Sequence, residues 1–191
     1  SLARRVAKGL GIEFPKKSKP VREPVDLPAS PALSIHRNAK HTVEGRKIGI
    51  LINEGSDKGK IERLKKMIKE HNGVPAVIAP RAHGIKLSDG SKVDADGILA
   101  GMPSVLFDAV AVVLSNKGTD QLLKESAAVQ WVQDAYAHLK AIAYTKESER
   151  LLKKGGVDTN QKGISTDLGS EFIKDAGTRF WKREHLVRTL Y

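Results

Sequence analysis

Gly45-Arg-Lys-Ile-Gly-Ile-Leu-Ile-Asn-Glu-Gly55 is the stretch that decides the fold. Within it, Lys47 to Ile52 is an almost unbroken apolar run, with Gly45 before it and Asn53-Glu54-Gly55 after it. A strand that is half exposed alternates apolar and polar residues. A run that is apolar at successive positions reads instead as a strand covered on both faces, the pattern of a parallel sheet. From Lys58 to His71 the period changes: Ile61, Leu64, Met67 and Ile68 share one helical stripe, with Lys and Arg around the rest. Val74 to Ala79 is a second buried strand. Strand, crossover helix and strand form a βαβ unit.

Downstream the same alternation continues. Lys86 to Val93 reads as a hairpin, with Asp89-Gly90 suited to a two-residue type I′ turn. Gly97 to Ala100 is a short buried segment, and Pro103-Ser104 opens a turn or cap. Ala109 to Leu114 is the strongest strand. A helix is expected from about Thr119 to Leu139, with Thr119 or Ser115 as N-cap. Ala141 to Tyr144 is the next strand. A short helix from Glu147 to Lys154 stops at Gly155-Gly156. Ile164 marks a last short strand, and Glu171 to Leu190 a closing helix. The fold class is α/β: a flavodoxin-like open, mostly parallel sheet with helices on both faces, preceded by an extended proline-rich linker.

Upstream, residues 1–12 form a short basic helix with Leu2, Val6 and Leu10 four apart, too short to stand alone. Residues 13–44 carry Pro15, Pro20, Pro24, Pro28 and Pro31, which deny the segment helix or central strand and leave it an extended linker. Residues 45–191 are then the folded domain.

A chain of 191 residues with 40% hydrophobic residues supports a real core in one domain plus a tail. The net charge of +11 permits polyanion binding. The Lys residues are scattered, however, and the few aromatics do not interleave with them as a stacking platform would, so no specific nucleic-acid partner is expected. With no cysteine, disulfides, thiolate metal sites and thiol nucleophiles are excluded. The apolar runs are strand-length, so no membrane partner is expected, and Ser1 opens no signal peptide. The expectation is a soluble cytoplasmic protein.

In open α/β sheets, ligands bind beyond the carboxyl ends of the strands. Four loops fall there: Asn53 to Gly59, Pro80 to Gly84, Ser115 to Asp120, and Thr145 to Ser148. In the first, Gly59-Lys60 is followed by Ile61, so the hydroxyl that a phosphate loop places after its Lys is missing. Ser56 or Asp57 reads there as a helix cap. Thr145 occupies the strand-to-helix turn where α/β hydrolases place a nucleophile, but Gly-x-Ser-x-Gly is absent and no His is placed to act as its base. It reads as an N-cap. His36, His41, His71, His83, His138 and His185 show no metal-ligand spacing, and only His83 lies in a candidate loop. Glu147 and Glu149 are two apart on a helix and do not face one another.

Pro103-Ser-Val-Leu-Phe-Asp-Ala-Val110, Asp134-Ala-Tyr-Ala-His-Leu-Lys-Ala-Ile-Ala143 and Arg179-Phe-Trp-Lys-Arg-Glu184 together resemble the C-terminal domain of large-subunit haem catalases. Arg5-Val-Ala-Lys-Gly-Leu-Gly11 is similar to the end of the catalase core, and the proline-rich linker fits as well. The resemblance implies a flavodoxin-like domain related to the PfpI family and to class I glutamine amidotransferases. Those relatives carry a Cys nucleophile at an elbow. The matching position here, counted from Leu151-Leu152, is Thr145, a vestigial elbow without the thiol. Their acidic partner falls in Glu54 to Lys60 with no secure match.

The resemblance further implies a parent that converts hydrogen peroxide to water and oxygen with haem, as a homotetramer. The haem-ligating Arg-x-x-x-Tyr pattern is missing from this chain, so the isolated chain is expected to bind no haem, to hold no metal and to be no enzyme. It reads as an auxiliary domain that stabilises the subunit and tetramer against the catalase core, with chaperone-like action on unfolded client proteins when isolated. The alternatives are a PfpI-like hydrolase, deglycase or amidotransferase, which the lack of Cys opposes, and a flavin or nucleotide-binding module.

Overall fold

The computed structural model describes residues 2–188. By contacts the chain divides into two units, with the boundary between Ala39 and Lys40.

In the first unit, helix α1 (Leu2–Gly9) is followed by Gly11 at φ 64° and then by chain without regular structure. The guanidinium of Arg4 lies 5.5 Å from the centre of the Phe14 ring. The expected linker is not extended throughout. A 3₁₀ turn at Pro31–Leu33 and helix α2 (Ile35–Asn38) interrupt it, and Ser34 caps α2 by accepting from the Arg37 N–H. Proline is tolerated in the first turn of such helices, which is where Pro31 sits.

The second unit opens with residues 40–44, which pack on the domain. Val43 is 3% exposed, and Arg46 donates to the carbonyls of Lys40 and Thr42. Its sheet contains β1 (Lys47–Ile52), β2 (Val74–Ala79), β5 (Gly97–Ile98), β6 (Ala109–Val113), β7 (Ile142–Tyr144) and β8 (Ile164–Ser165). The strand order is β5-β2-β1-β6-β7-β8, and every pairing is parallel. Helices α3 (Lys58–Glu70) and α7 (Ser170–Ala176) cover one face, packing on Ile48, Ile50 and Ile52. Helices α4 (Asn116–Leu122), α5 (Ser126–Ala137) and α6 (Glu149–Lys154) cover the other, over Leu51, Val110 and Val112. Gly49 interrupts the apolar run for a reason: a Cβ there would lie 2.7 Å from the ring of Phe107, which fills the space instead.

Three expectations are corrected. The hairpin pairs β3 (Ile85–Lys86) with β4 (Lys92–Val93), but its turn is not the two-residue form. Leu87 N–H donates to Ser91, and Gly90, at φ 82°, donates to Leu87. The loop is therefore Ser88-Asp89-Gly90, a type I turn closed by a left-handed glycine. The helix expected over 119–139 is two helices. On one continuous helix the buried stripe through Leu122 would pass through Glu125 and Ser126, and the turn between α4 and α5 leaves both exposed.

The closing helix is also broken. After α7 the chain turns at Gly177, runs along the amino edge of the sheet through a 3₁₀ turn at Trp181–Arg183, and ends in α8 (Glu184–Val187) against α5. The Phe180 N–H donates to Leu139 and the Arg179 side chain to Asp108 O, which pull the segment across that edge. The part of the expected helix beyond Arg188 lies outside the described residues.

Candidate functional site

The strand order reverses between β1 and β6, so the crevice that an open sheet offers to a ligand lies between the loops that follow these two strands. Hydrogen bonds bridge the loops across that crevice. The Ser115 hydroxyl donates to Glu54 O (2.7 Å) and accepts from Gly118 N–H (2.9 Å), so Ser115 is the N-cap of α4. The buried Asn53 amide donates to Gln121 Oε1 (2.9 Å) and Gly118 O (3.3 Å). Close approach accounts for the glycines: a Cβ at Gly55 would meet Ser115 Oγ at 2.9 Å, and one at Gly118 would meet Glu54 O at 3.0 Å.

Asp57, not Ser56, caps α3, accepting from Lys60 N–H (2.9 Å). Its carboxylate thus occupies the helix N-terminus that a phosphate would need. Ser56 Oγ accepts from Asn53 N–H.

The Thr145 loop is closed as tightly, and differently from expectation. Thr145 is 4% exposed and Ser148 fully buried. Thr145 precedes a 3₁₀ turn at Lys146–Ser148, but its side chain makes no cap bond to that turn. Its hydroxyl donates to Leu114 O (2.9 Å), accepts from Leu114 N–H (3.2 Å) and lies 2.7 Å from Ser148 Oγ. Ser148 donates to Val112 O (3.1 Å). Two hydroxyls thus staple the end of β7 to the end of β6. The cap expected at Thr145 fails because the Ser148 N–H of that turn is taken by Thr145 O, while the hydroxyl serves the buried end of the neighbouring strand, which water cannot reach. Thr145 has φ −77° and ψ 147°, an ordinary extended conformation. The residues whose backbone is left-handed without being glycine are Asn72 and Leu139.

The other sequence candidates do not converge. His83 is exposed beside Asp94 (3.4 Å), and His138 ends α5 ahead of β7, whereas Thr145 follows the other end of that strand. Glu149 pairs with Lys153 at 2.7 Å. Among the described residues no group of three or more His, Asp or Glu is arranged to hold a metal ion. An open cleft of about 270 Å³ remains beside β2, lined by Glu54, Arg81, Gln121 and Glu125 among others, where Arg81 already pairs with Glu54.

The amino edge holds what the sequence reading missed. Lys140 and Arg183 are 3% and 2% exposed. Lys140 Nζ donates to Ser104 O (2.7 Å), and Arg183 Nη2 donates to Lys140 O (2.5 Å). The Arg183 guanidinium lies 5.1 Å from the ring centres of both Tyr136 and Phe180, so aromatic faces supply part of the solvation that water would give. Burial, with Arg179 nearby, pushes the Lys140 ammonium down to about 8. Burial also lowers Arg183, to about 10. Asp108 anchors the rest: it pairs with Arg46 (3.2 Å), accepts from Lys47 N–H (3.1 Å), and its carbonyl takes Arg179 Nη1 (2.7 Å). Composition marks Lys and Arg as surface residues, and nothing in the sequence sets these two apart from the other cations.

The geometry defines an α/β domain of the DJ-1/PfpI type. Drosophila melanogaster DJ-1beta superposes with a TM-score of 0.55 at 17% identity, covering 59% of this chain and 61% of that one. A two-domain protein with DJ-1/ThiJ/PfpI-like and ferritin-like domains from Anabaena variabilis gives 0.54 at 22% identity, covering 58% and 33%. At these identities the likeness shows the fold alone.

Residues 44–185 match the C-terminal domain found in long catalases, and the chain belongs to that family. It is 35% identical over 196 residues to catalase C of Rhizobium meliloti, covering 98% of this chain and 28% of that protein. It is 31% identical over 189 residues to catalase HPII of Pseudomonas putida, covering 96% of this chain and 26% of that protein. The chain thus spans little more than a quarter of these relatives. Among the described residues no helix is long and apolar enough to cross a membrane.

Proposed function

We propose that this chain is the non-catalytic auxiliary domain of a cytoplasmic large-subunit catalase, in which it stabilises the subunit and the homotetramer while the haem and the peroxide chemistry belong to the rest of the protein. The observation that carries this reading is the bonding of Thr145 at the carboxyl edge. In a chain of this family, the position that relatives of the fold use for a nucleophile is a Thr whose hydroxyl is bonded to Leu114 and Ser148. At the strand reversal Ser115 and the Asn53–Gln121 pair bridge the loops, and the cleft left open beside them is occupied by the Arg81–Glu54 ion pair. A PfpI-like hydrolase needs an exposed nucleophile with a base, and a flavin or nucleotide module needs a free cradle of amides; neither requirement is supported here. The residues present do not fit a haem site either, since no Arg-x-x-x-Tyr pattern exists in the sequence.

The test is oxygen evolution from hydrogen peroxide by the isolated chain with haem added. Activity at the level of free haem is expected, and activity well above it would refute the reading.

A second role, holding unfolded client chains, draws support from one observation. Leu2, Leu10, Val21, Val25, Leu27, Leu33 and Ile35, all in the first unit, are each more than half exposed. Light scattering of a heated client protein, with the chain and with a version starting at Lys40, tests it. Protection that depends on the first unit is expected.

A further inference from the structure

We propose that the second unit carries a binding site for a small monovalent anion, a halide of chloride size, held against the buried guanidinium of Arg183. The inference is independent of the auxiliary-domain reading.

The buried charge of this unit has one sign. Among the described residues, the buried side chains that carry charge are Lys140 and Arg183, both cations, and no carboxylate is buried with them. Each donates to a backbone carbonyl, Lys140 to Ser104 O and Arg183 to Lys140 O, so these bonds bring neither cation a counter-charge. The carboxylate of Asp108 is shared between Arg46 and Arg179. Burial lowers the Arg183 pKa to about 10, and Tyr136 and Asp175, which act the other way, offset only part of that.

Unpartnered polar atoms gather at the same place. Among the described residues, the buried side-chain atoms without a hydrogen-bond partner are Ser104 Oγ, Thr119 Oγ1, and Nε and Nη1 of Arg183. All but the Thr119 hydroxyl belong to residues joined through Lys140. The guanidinium is also fixed in place. The ring centres of Tyr136 and Phe180 lie 5.1 Å from it, and Nη2 is held by Lys140 O. Its donors form a rigid planar fork, so the free N–H groups are aimed before any ligand arrives.

Water in that position would satisfy the N–H groups and leave the charge uncompensated. Buried charges in proteins are paired, because neutral dipoles alone do not replace their lost hydration. An anion supplies an acceptor and the opposite charge together. Its small size follows from the burial of the donors it meets. A halide suits a guanidinium, which has no acceptor to offer a protonated ligand. Bound there, the anion completes the junction of the turns at Ser104, Lys140 and Arg183.

The test is the chloride dependence of unfolding of the full chain. Urea titrations run from about 20 to about 200 mM chloride, with methanesulfonate replacing chloride so that ionic strength and screening stay constant. An anion bound by the folded chain alone should lower the unfolding constant about three- to tenfold over that range. Arg183→Met keeps a long side chain, removes the charge and should lose the dependence. Lys182→Gln removes the same charge from the exposed neighbouring position and should keep it. Wild-type crystals soaked in bromide read the site directly, whether or not Arg183→Met folds. An anomalous peak in contact with Arg183 Nε or Nη1 is expected. An unfolding constant indifferent to chloride, an equal dependence in Arg183→Met, or a bromide map with no peak at Arg183 overturns the proposal.

Discussion

Replacing Thr145 by Val removes one hydroxyl from the staple between β6 and β7 and leaves the shape of the side chain intact, so no cavity opens. The hydroxyl donates to Leu114 O, accepts from Leu114 N–H and lies against Ser148 Oγ, whose own proton goes to Val112 O. Leu114 N–H keeps a second acceptor in Ser148 Oγ at 3.3 Å, so its loss is partial. The Leu114 carbonyl loses this donor in a buried setting, and a buried polar group left unsatisfied costs about 1–3 kcal/mol. Thr145→Val should therefore destabilise by about 1–3 kcal/mol. Thr145→Ser keeps the hydroxyl and loses one methyl, about 1 kcal/mol. A simple helix cap would give a different pattern, about 1 kcal/mol for Val and nearly nothing for Ser.

Urea titration followed by circular dichroism measures both values. Adding Ser148→Ala to each completes a cycle in which the two hydroxyls should couple by about 0.5 kcal/mol or more. A Thr145→Val protein within about 0.5 kcal/mol of wild type, or strictly additive double substitutions, would refute the staple. Turnover of an ester or glyoxal that vanished in Thr145→Val and survived in Thr145→Ser would instead make Thr145 a nucleophile.

Lys140 has a folded-state pKa near 8 against 10.5 when free, so from pH 8 to 10.5 the unfolded chain binds more protons and stability should rise with pH. Relative to Lys140→Met, wild type should gain up to about 3 kcal/mol over that window in pH-dependent denaturant melts; equal slopes would show that Lys140 is not buried as described. Gly49→Ala would place a Cβ 2.7 Å from the Phe107 ring, which is itself held against Trp131 at 6.2 Å between centroids. Overpacking of about 1–3 kcal/mol is expected by thermal melting, partly recovered in Gly49→Ala/Phe107→Leu, and a neutral result would show that the ring can move aside. Limited proteolysis of the isolated chain should trim to about Lys40 and not into residues 40–44, because Val43 is buried and Arg46 holds the Lys40 and Thr42 carbonyls. A fragment starting after Arg46 would contradict that packing.

What was legible in the sequence was what depends on one segment at a time. Lys47–Ile52, Val74–Ala79 and Ala109–Val113 read as buried strands because both of their faces are covered, and that leaves an apolar run no local chemistry can imitate. The break between α4 and α5 was readable in principle. Glu125 and Ser126 lie on the stripe of Leu122, and a stricter test of helical phase would have split the helix. At the hairpin, Asp89-Gly90 fixed the place of the turn but not its length, because Ser88 suits a turn equally well. Thr145 was located correctly at the end of β7, while its partners were not, since Leu114 lies 31 residues away. Lys140 and Arg183 were least legible of all. A cation in a sequence reads as surface, and its burial is decided by Ser104, Tyr136 and Phe180, which only the fold assembles.

The two edges of the sheet make opposite use of polar groups, and that contrast bears on function. A nucleophile elbow holds its residue in a strained backbone conformation so that the reactive atom stands in open space. At Thr145 the backbone is relaxed, and the hydroxyl turns back into the protein to join two strand ends. The nearby serines are also spent: Ser148 on Val112, Ser115 on Glu54 and Gly118. Each of these bonds lowers the free energy of the folded domain and removes a group that could have met a substrate. At the amino edge the balance runs the other way. Lys140 and Arg183 are desolvated, and among the described residues Arg183 Nε and Nη1 find no hydrogen-bond partner. That costs free energy which cohesion of this domain alone would not require. The carboxyl edge thus uses its hydroxyls to join strand ends, while the amino edge keeps two desolvated cations to join the turns at Ser104, Lys140 and Arg183.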